Sequence, residues 1–156
     1  MTIRMVEGDL LAQKVDAIVN PWNRNIIPWW LLLPQGVSGA IKRRAGIAPF
    51  REMGRHGPIP LGGAVMTGAG RLPHRAIIHV AGINMLWRAS EFSVRESVRS
   101  ALSLAGNAGM GSVAFPLIGA GSGGAKPDKV LEWMTTSAES HPFTGDCLIV
   151  VYKAGG

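Results

Sequence analysis

The stretch Ser112–Gly124 reads SVAFPLIGAGSGG: a short apolar strand, a proline that stops it, and a loop almost without side chains. Of the seven residues from Ile118 to Gly124, five are glycine or alanine. Such a loop lets backbone N–H groups close on a large anion, a diphosphate above all. A tight strand-to-helix turn is the plainer use of the same glycines. Gly36 and Val37 stand at the start of a second element, a helix whose first-turn amides are able to hold phosphate oxygens without Lys or Arg. Asn20 and Asn23 lie three apart at the end of the apolar run Val15–Val19. An amide donates and accepts at once, which suits the hydroxyls of a sugar. For Asn20 the alternative is that it holds its own loop through backbone bonds. Asp9 follows the first strand as a short acid, either a ligand acceptor or a turn former.

Strands must place these groups at one edge. Thr2–Val6, Val15–Val19, Gly63–Thr67, Ala76–Ala81, Val113–Phe115 and Cys147–Tyr152 read as strands. Val37–Ala45, a short turn at Pro49–Gly57, Ser90–Ala108 and Lys126–Ala138 read as helices. In the third helical segment Ser90 serves as cap, and Val94, Val98, Ala101, Leu102 and Ala105 follow at spacings of three and four. Strands alternating with helices predict layered α/β architecture, in which ligands gather outside the carboxyl ends of strands. Between Asn20 and Gln35 the chain is irregular, with Trp22, Trp29 and Trp30 close together.

A chain of 156 residues, 47% hydrophobic with 21 glycines, suits one compact domain. The net charge of +6 permits an anionic ligand or nucleic-acid contact. The lone cysteine, Cys147, leaves no internal disulfide and points to a reducing, cytoplasmic setting; in a late strand it reads as a buried structural thiol. MTIRMVEGDL does not read as a signal peptide, and no apolar run is long enough to span a membrane. His56, His74, His79 and His141 are scattered without metal-ligand spacing, and His79 reads as a packed strand residue. Arg43, Arg44, Arg51 and Arg55 read as a solvated basic face.

These pieces together resemble a macro domain, a three-layer α/β/α module with a mixed central sheet, over residues 1–156 as a single domain. Gly8-Asp9-Leu10-Leu11, Val15–Asn20 with Pro21-Trp22-Asn23, Gly36-Val37-Ser38-Gly39-Ala40-Ile41, Leu72-Pro73 with Ile77-Ile78-His79, and Ala114-Phe115-Pro116 with Ile118–Gly124 follow in the family's order. The resemblance implies ADP-ribose as ligand, free or on a modified protein or nucleic acid, with no metal and no further cofactor. It implies Asp9 and Leu10 at the adenine and Asn23 at the distal ribose, with Asn20, from the same segment, either a ligand group or a brace for its own loop. The diphosphate would lie between Gln35, Gly36, Val37 and Ser38 on one side and Pro116, Ile118, Gly119, Ala120, Gly121, Ser122, Gly123 and Gly124 on the other. Tyr152 matches a position that packs near adenine in some relatives; an ordinary edge tyrosine is the alternative.

In activity the resemblance implies a hydrolase acting on an ADP-ribosyl linkage or on O-acetyl-ADP-ribose, with Asn23 and Ser38 as the catalytic candidates. A non-catalytic reader of ADP-ribose is the other outcome. The chain departs from the family pattern in three places. Leu33-Pro34-Gln35 replaces a run of glycines, Ser38 stands where one hydrolase branch has Asp, and Gly123 stands where many relatives have Tyr or Phe. Serine without a partner is no base near neutral pH. The tryptophan loop Trp22–Trp30 is expected to supply the missing aromatic wall, with a hydrophobic lid or dimer contact as the alternative.

Overall fold

The computed structural model describes residues 1–32, 36–121 and 123–152. Six strands form one sheet: β1 (Thr2–Gly8), β2 (Ala17–Trp22), β3 (Ala64–Thr67), β4 (Ala76–Ala81), β5 (Ser112–Phe115) and β6 (Asp146–Tyr152). Four helices accompany them: α1 (Gly36–Ala45), α2 (Ala48–Arg55), α3 (Glu91–Asn107) and α4 (Pro127–Glu139). The strand order is β1-β6-β5-β2-β4-β3, parallel except for β3 against β4. The expected mixed sheet and α/β/α layering are present.

Strand alternation sorts the core into two layers. Ala17 and Val19 of β2, with Ile78 and Val80 of β4, face α3 and α4. Ile18 and Trp22 of β2, with Ile77 of β4, face α1 and α2. α3 begins as expected at Ser90, whose hydroxyl accepts from the Ser93 N–H while Ser93 Oγ accepts from the Ser90 N–H. Cys147 is buried, and that burial pushes its thiol up to about 12, so it is a packed thiol as the sequence implies.

One extension changes the site. β2 runs on to Trp22 rather than ending near Val19, pairing with β4 through Trp22↔Ala81. β5 pairs with β2 only at Ala17 and Ile18. Beyond that point β2 has a neighbour on one side alone, which is where a strand tolerates Pro21. There β2 and β5 part. The loop after β2 leads to α1 on one face, and the loop after β5 leads to α4 on the other. A crevice opens between them, at the switch point where α/β folds bind ligands.

Candidate functional site

The crevice holds a cavity of about 570 Å³. Four segments wall it: Pro21, Trp22 and Asn23 at the end of β2, Gly36–Ser38 opening α1, Gly82, Ile83 and Trp87 after β4, and Leu117, Ile118, Gly119, Gly121 and Gly123 after β5. Leu32 completes the lining described. Eight of the expected site residues are thus brought together: Asn23, Gly36, Val37, Ser38, Ile118, Gly119, Gly121 and Gly123.

The remaining expected residues fall elsewhere. Gln35 and Ser122 lie outside the described residues. Asp9, Leu10 and Tyr152 gather at the carboxyl ends of neighbouring β1 and β6, since Gly8 pairs with Tyr152. Asp9 Oδ1 accepts from the Leu11 N–H at 2.9 Å, and Oδ2 pairs with Arg44 at 3.1 Å. Its turn-forming role is therefore real, and a ligand amine would share oxygens already in use. Leu10 is buried in the α1–α2 layer, and Tyr152 is 73% exposed. Pro116 is buried just behind the glycine loop, and Ala120 and Gly124 shape that loop without lining the cavity.

Asn20 does not line the cavity. It is fully buried opposite its β4 partner His79, and its two amide ends are both engaged. The Ser38 hydroxyl donates to Asn20 Oδ1 at 2.6 Å, and Asn20 Nδ2 meets His79 Nδ1 at 2.9 Å. Asn20 therefore acts on the cavity only through Ser38. Burial, aided by the field of His56, holds the His79 imidazole down to about 3. The unfolded chain protonates this residue below its ordinary 6.5, and the folded chain does not until about 3. Stability is then full above pH 6.5 and declines as pH falls through that window, by up to ~1.4 kcal/mol per pH unit. Urea unfolding at pH 7.5 and 5.5 should show a steeper loss in the wild type than in His79→Gln; equal slopes would contradict this.

Asn23 is held ready. Its Oδ1 accepts from the Asn25 N–H at 2.8 Å, which leaves the Nδ2 donors without a protein acceptor among the described residues. Asn25, at φ 58°, is itself pinned by donating to the carbonyls of Met53 and Gly57. The loop after β2 is thereby tied to the end of α2, and the Asn23 amide sits on a rigid support.

The glycine loop is folded on itself. The Ala125 N–H donates to Gly119 O at 3.1 Å, and Gly124 N–H to Gly121 O at 3.2 Å. Ala89 N–H donates to Gly123 O at 3.0 Å, tying this loop to the one after β4. The N–H groups of Gly119, Gly121 and Gly123 have no backbone acceptor among the described residues. They stand across the cavity from α1, whose first N–H groups have no partner within the helix. Two backbone walls of unused donors thus share one crevice. A Cβ on Gly123 would lie 2.6 Å from Gly119 O, so an aromatic side chain there would require the loop to be rebuilt.

The tryptophan loop is only partly at the site. Trp22 lines the cavity and is buried against Phe50 at 5.5 Å between ring centroids. Trp29 packs on the α1–α2 layer beneath the Lys42 ammonium, and Trp30 is 65% exposed. Neither lines the cavity, which corrects the expectation for those two residues. The other aromatic in the lining is Trp87, which the sequence did not single out. It sits at φ 59° in a tight loop organised by Asn84, whose Oδ1 accepts from the N–H groups of Leu86 and Arg88. Its position just past β4, at a strand carboxyl end, is the signal that would have found it.

A layered α/β/α domain with unused backbone N–H groups around a crevice at its strand ends has the arrangement in which α/β folds take ligands. The family model described as Macro domain matches residues 19–134, and this chain belongs to the macro domain family. It is 38% identical over 118 residues to an uncharacterised protein of Aeropyrum pernix, covering 75% of this chain and 60% of that one. It is 38% identical over 127 residues to a protein of Citrobacter rodentium named O-acetyl-ADP-ribose deacetylase, covering 76% of this chain and 68% of that one. The Trypanosoma brucei macrodomain solved in complex with ADP-ribose superposes with a TM-score of 0.79 at 26% identity, over 97% of this chain and 64% of that one. The chain thus spans about three fifths of the Aeropyrum pernix relative's length.

Proposed function

We propose that this macro domain binds ADP-ribose in the crevice and hydrolyses an ADP-ribosyl linkage or the ester of O-acetyl-ADP-ribose. The observation that carries the reading is the pair of facing backbone walls, Gly36–Ser38 on one side and Gly119, Gly121 and Gly123 on the other, beside the free Asn23 amide. Unused N–H groups on both sides of a crevice suit a diphosphate, and the Asn23 Nδ2 donors suit a ribose hydroxyl. The named Citrobacter rodentium relative and the ADP-ribose complex of the Trypanosoma brucei macrodomain support the ligand class. The substrate would be free or attached to a modified protein or nucleic acid.

The chemistry follows from what the lining lacks. Among its described residues there is no Asp, Glu, His, Cys or Lys side chain. Protein-based proton abstraction has no candidate there. A water held between Asn23 and a phosphate oxygen of the substrate would attack the distal ribose C1″ (or the acetyl carbonyl carbon of the ester). Its proton passes to that phosphate oxygen as the bond to the leaving group breaks, and the leaving group departs with a proton from it, while fixed amides stabilise the developing charge. The same absence favours a second reading, a reader that binds ADP-ribose without turnover. ADP-ribose release from modified glutamate, modified serine and modified DNA, and deacetylation of O-acetyl-ADP-ribose, separate the two. Turnover on one of them, reduced at least tenfold in Asn23→Ala, is expected. No turnover on any, with binding intact, selects the reader.

A further inference from the structure

A chain of buried hydrogen bonds leads from the crevice through the α1–α2 layer to the edge of the sheet. Ser38 Oγ, Asn20, His79 and Thr67 Oγ1 follow one another at 2.6, 2.9 and 2.9 Å, and Thr67 Oγ1 lies 2.9 Å from Gly68 O. Asn20 and His79 have no solvent exposure, and Thr67 and Ser38 retain 3% and 7%.

The far end fixes the direction of every proton. A carbonyl oxygen only accepts, so Thr67 donates to Gly68 O and must accept from His79 Nε2–H. A neutral imidazole carries one ring proton, so with Nε2 protonated Nδ1 accepts from Asn20 Nδ2–H. The Asn20 amide is then oriented with Oδ1 toward Ser38, which donates to it. The imidazole stays neutral because burial holds it well below neutral pH. The second protein atom near Ser38 Oγ is again an acceptor, Pro21 O at 3.4 Å. Ser38 is therefore a hydroxyl whose only proton is spent inside the protein and whose lone pairs meet no donor among the described residues.

We propose that Ser38 is the specificity-determining group of the crevice, and that it meets the ligand only as an acceptor, so that the ligand must present a free hydroxyl at that point. This rests on the ADP-ribose reading. Ser38 is the last residue of the Gly36–Ser38 wall proposed for the phosphates, and it lines the cavity with Asn23, the group proposed for the distal ribose. The donors ADP-ribose carries there are its distal ribose hydroxyls. An ether or ester oxygen at the same position would set lone pair against lone pair and be rejected. His79 is a positioning residue: it touches no ligand but sets which way Ser38 points its proton.

Two measurements on the wild-type protein decide this. Long-range nitrogen–proton correlations of the His79 ring, recorded without ligand at pH 7, should show a neutral ring protonated at Nε2. A ring protonated at Nδ1 would turn the relay round, free the Ser38 proton and overturn the proposal. Calorimetry with ADP-ribose and its 2″-deoxy and 3″-deoxy analogues should show one analogue weakened roughly tenfold and the other little changed, the scale of one net hydrogen bond. In Ser38→Ala the weakened analogue and ADP-ribose should bind alike, while Ser38→Thr, which keeps the hydroxyl, should retain the discrimination. Equal binding of all three ligands by the wild type overturns the proposal and leaves the ADP-ribose reading standing. No binding of ADP-ribose at all overturns both.

Discussion

Gly121→Glu is expected to leave the protein folded and to lower its affinity for ADP-ribose at least a hundredfold. A Cβ built on Gly121 meets nothing within 4 Å, and the residue needs no left-handed backbone. The free protein therefore has room for a side chain there. The bound state does not, because Gly121 forms part of the wall proposed to face the diphosphate. The carboxylate would occupy that space and bring a negative charge against the phosphates in a crevice that screens poorly; a loss of two orders of magnitude is about 2.7 kcal/mol. Thermal unfolding should stay within a few degrees of wild type while calorimetry loses its signal. Affinity retained within threefold would mean that no diphosphate lies against this loop.

Gly119→Ala should do the reverse and act on the fold. Gly119 has φ 80°, a conformation that an alanine adopts with strain, and its new Cβ would overlap the Cβ of Ala89. Ala89 belongs to the segment joining β4 to α3, and its N–H donates to Gly123 O at 3.0 Å. The substitution must push apart two walls of the crevice that are otherwise bonded to each other. A loss of roughly 2–4 kcal/mol in urea unfolding is expected, from left-handed strain and overpacking together. A loss below about 0.5 kcal/mol would show that these loops are free to separate and do not hold the cavity's shape.

The sequence was most informative where chemistry is local. Ala76–Ala81 is a strand because six small or apolar-compatible residues need burial on both faces, and all six are buried. Ser90 was legible as a cap because a hydroxyl next to an apolar helical repeat has one obvious use. The glycine loop was legible because few structures other than a ligand cradle or a forced turn call for so many glycines. Asn20 was harder. Placed by sequence just outside a strand ending at Val19, it reads equally as a ligand group or as a brace for its own loop; only the pairing with β4 shows that it lies inside the sheet, across from His79. That pairing joins residues 59 apart, and nothing near Asn20 encodes it.

The aromatic wall escaped for a similar reason. Trp22, Trp29 and Trp30 stand close in the sequence, yet Trp29 and Trp30 are spent on packing and surface. Trp87 reaches the crevice because Asn84 folds its loop tightly and the backbone takes a left-handed turn at the tryptophan itself. A positive φ at a bulky residue is not written in its type. Glycine 123, by contrast, makes sense once the loop is seen: its missing side chain allows the close approach of Gly119 and Ala89.

Titration calorimetry of the intact protein with ADP-ribose, with AMP in parallel, decides whether the crevice takes this ligand. A saturable exchange of heat with one ADP-ribose per chain, weaker binding of AMP, and no signal for ADP-ribose in Gly121→Glu are expected. A folded wild-type protein that gives no heat and no thermal stabilisation with millimolar ADP-ribose would contradict the ADP-ribose reading.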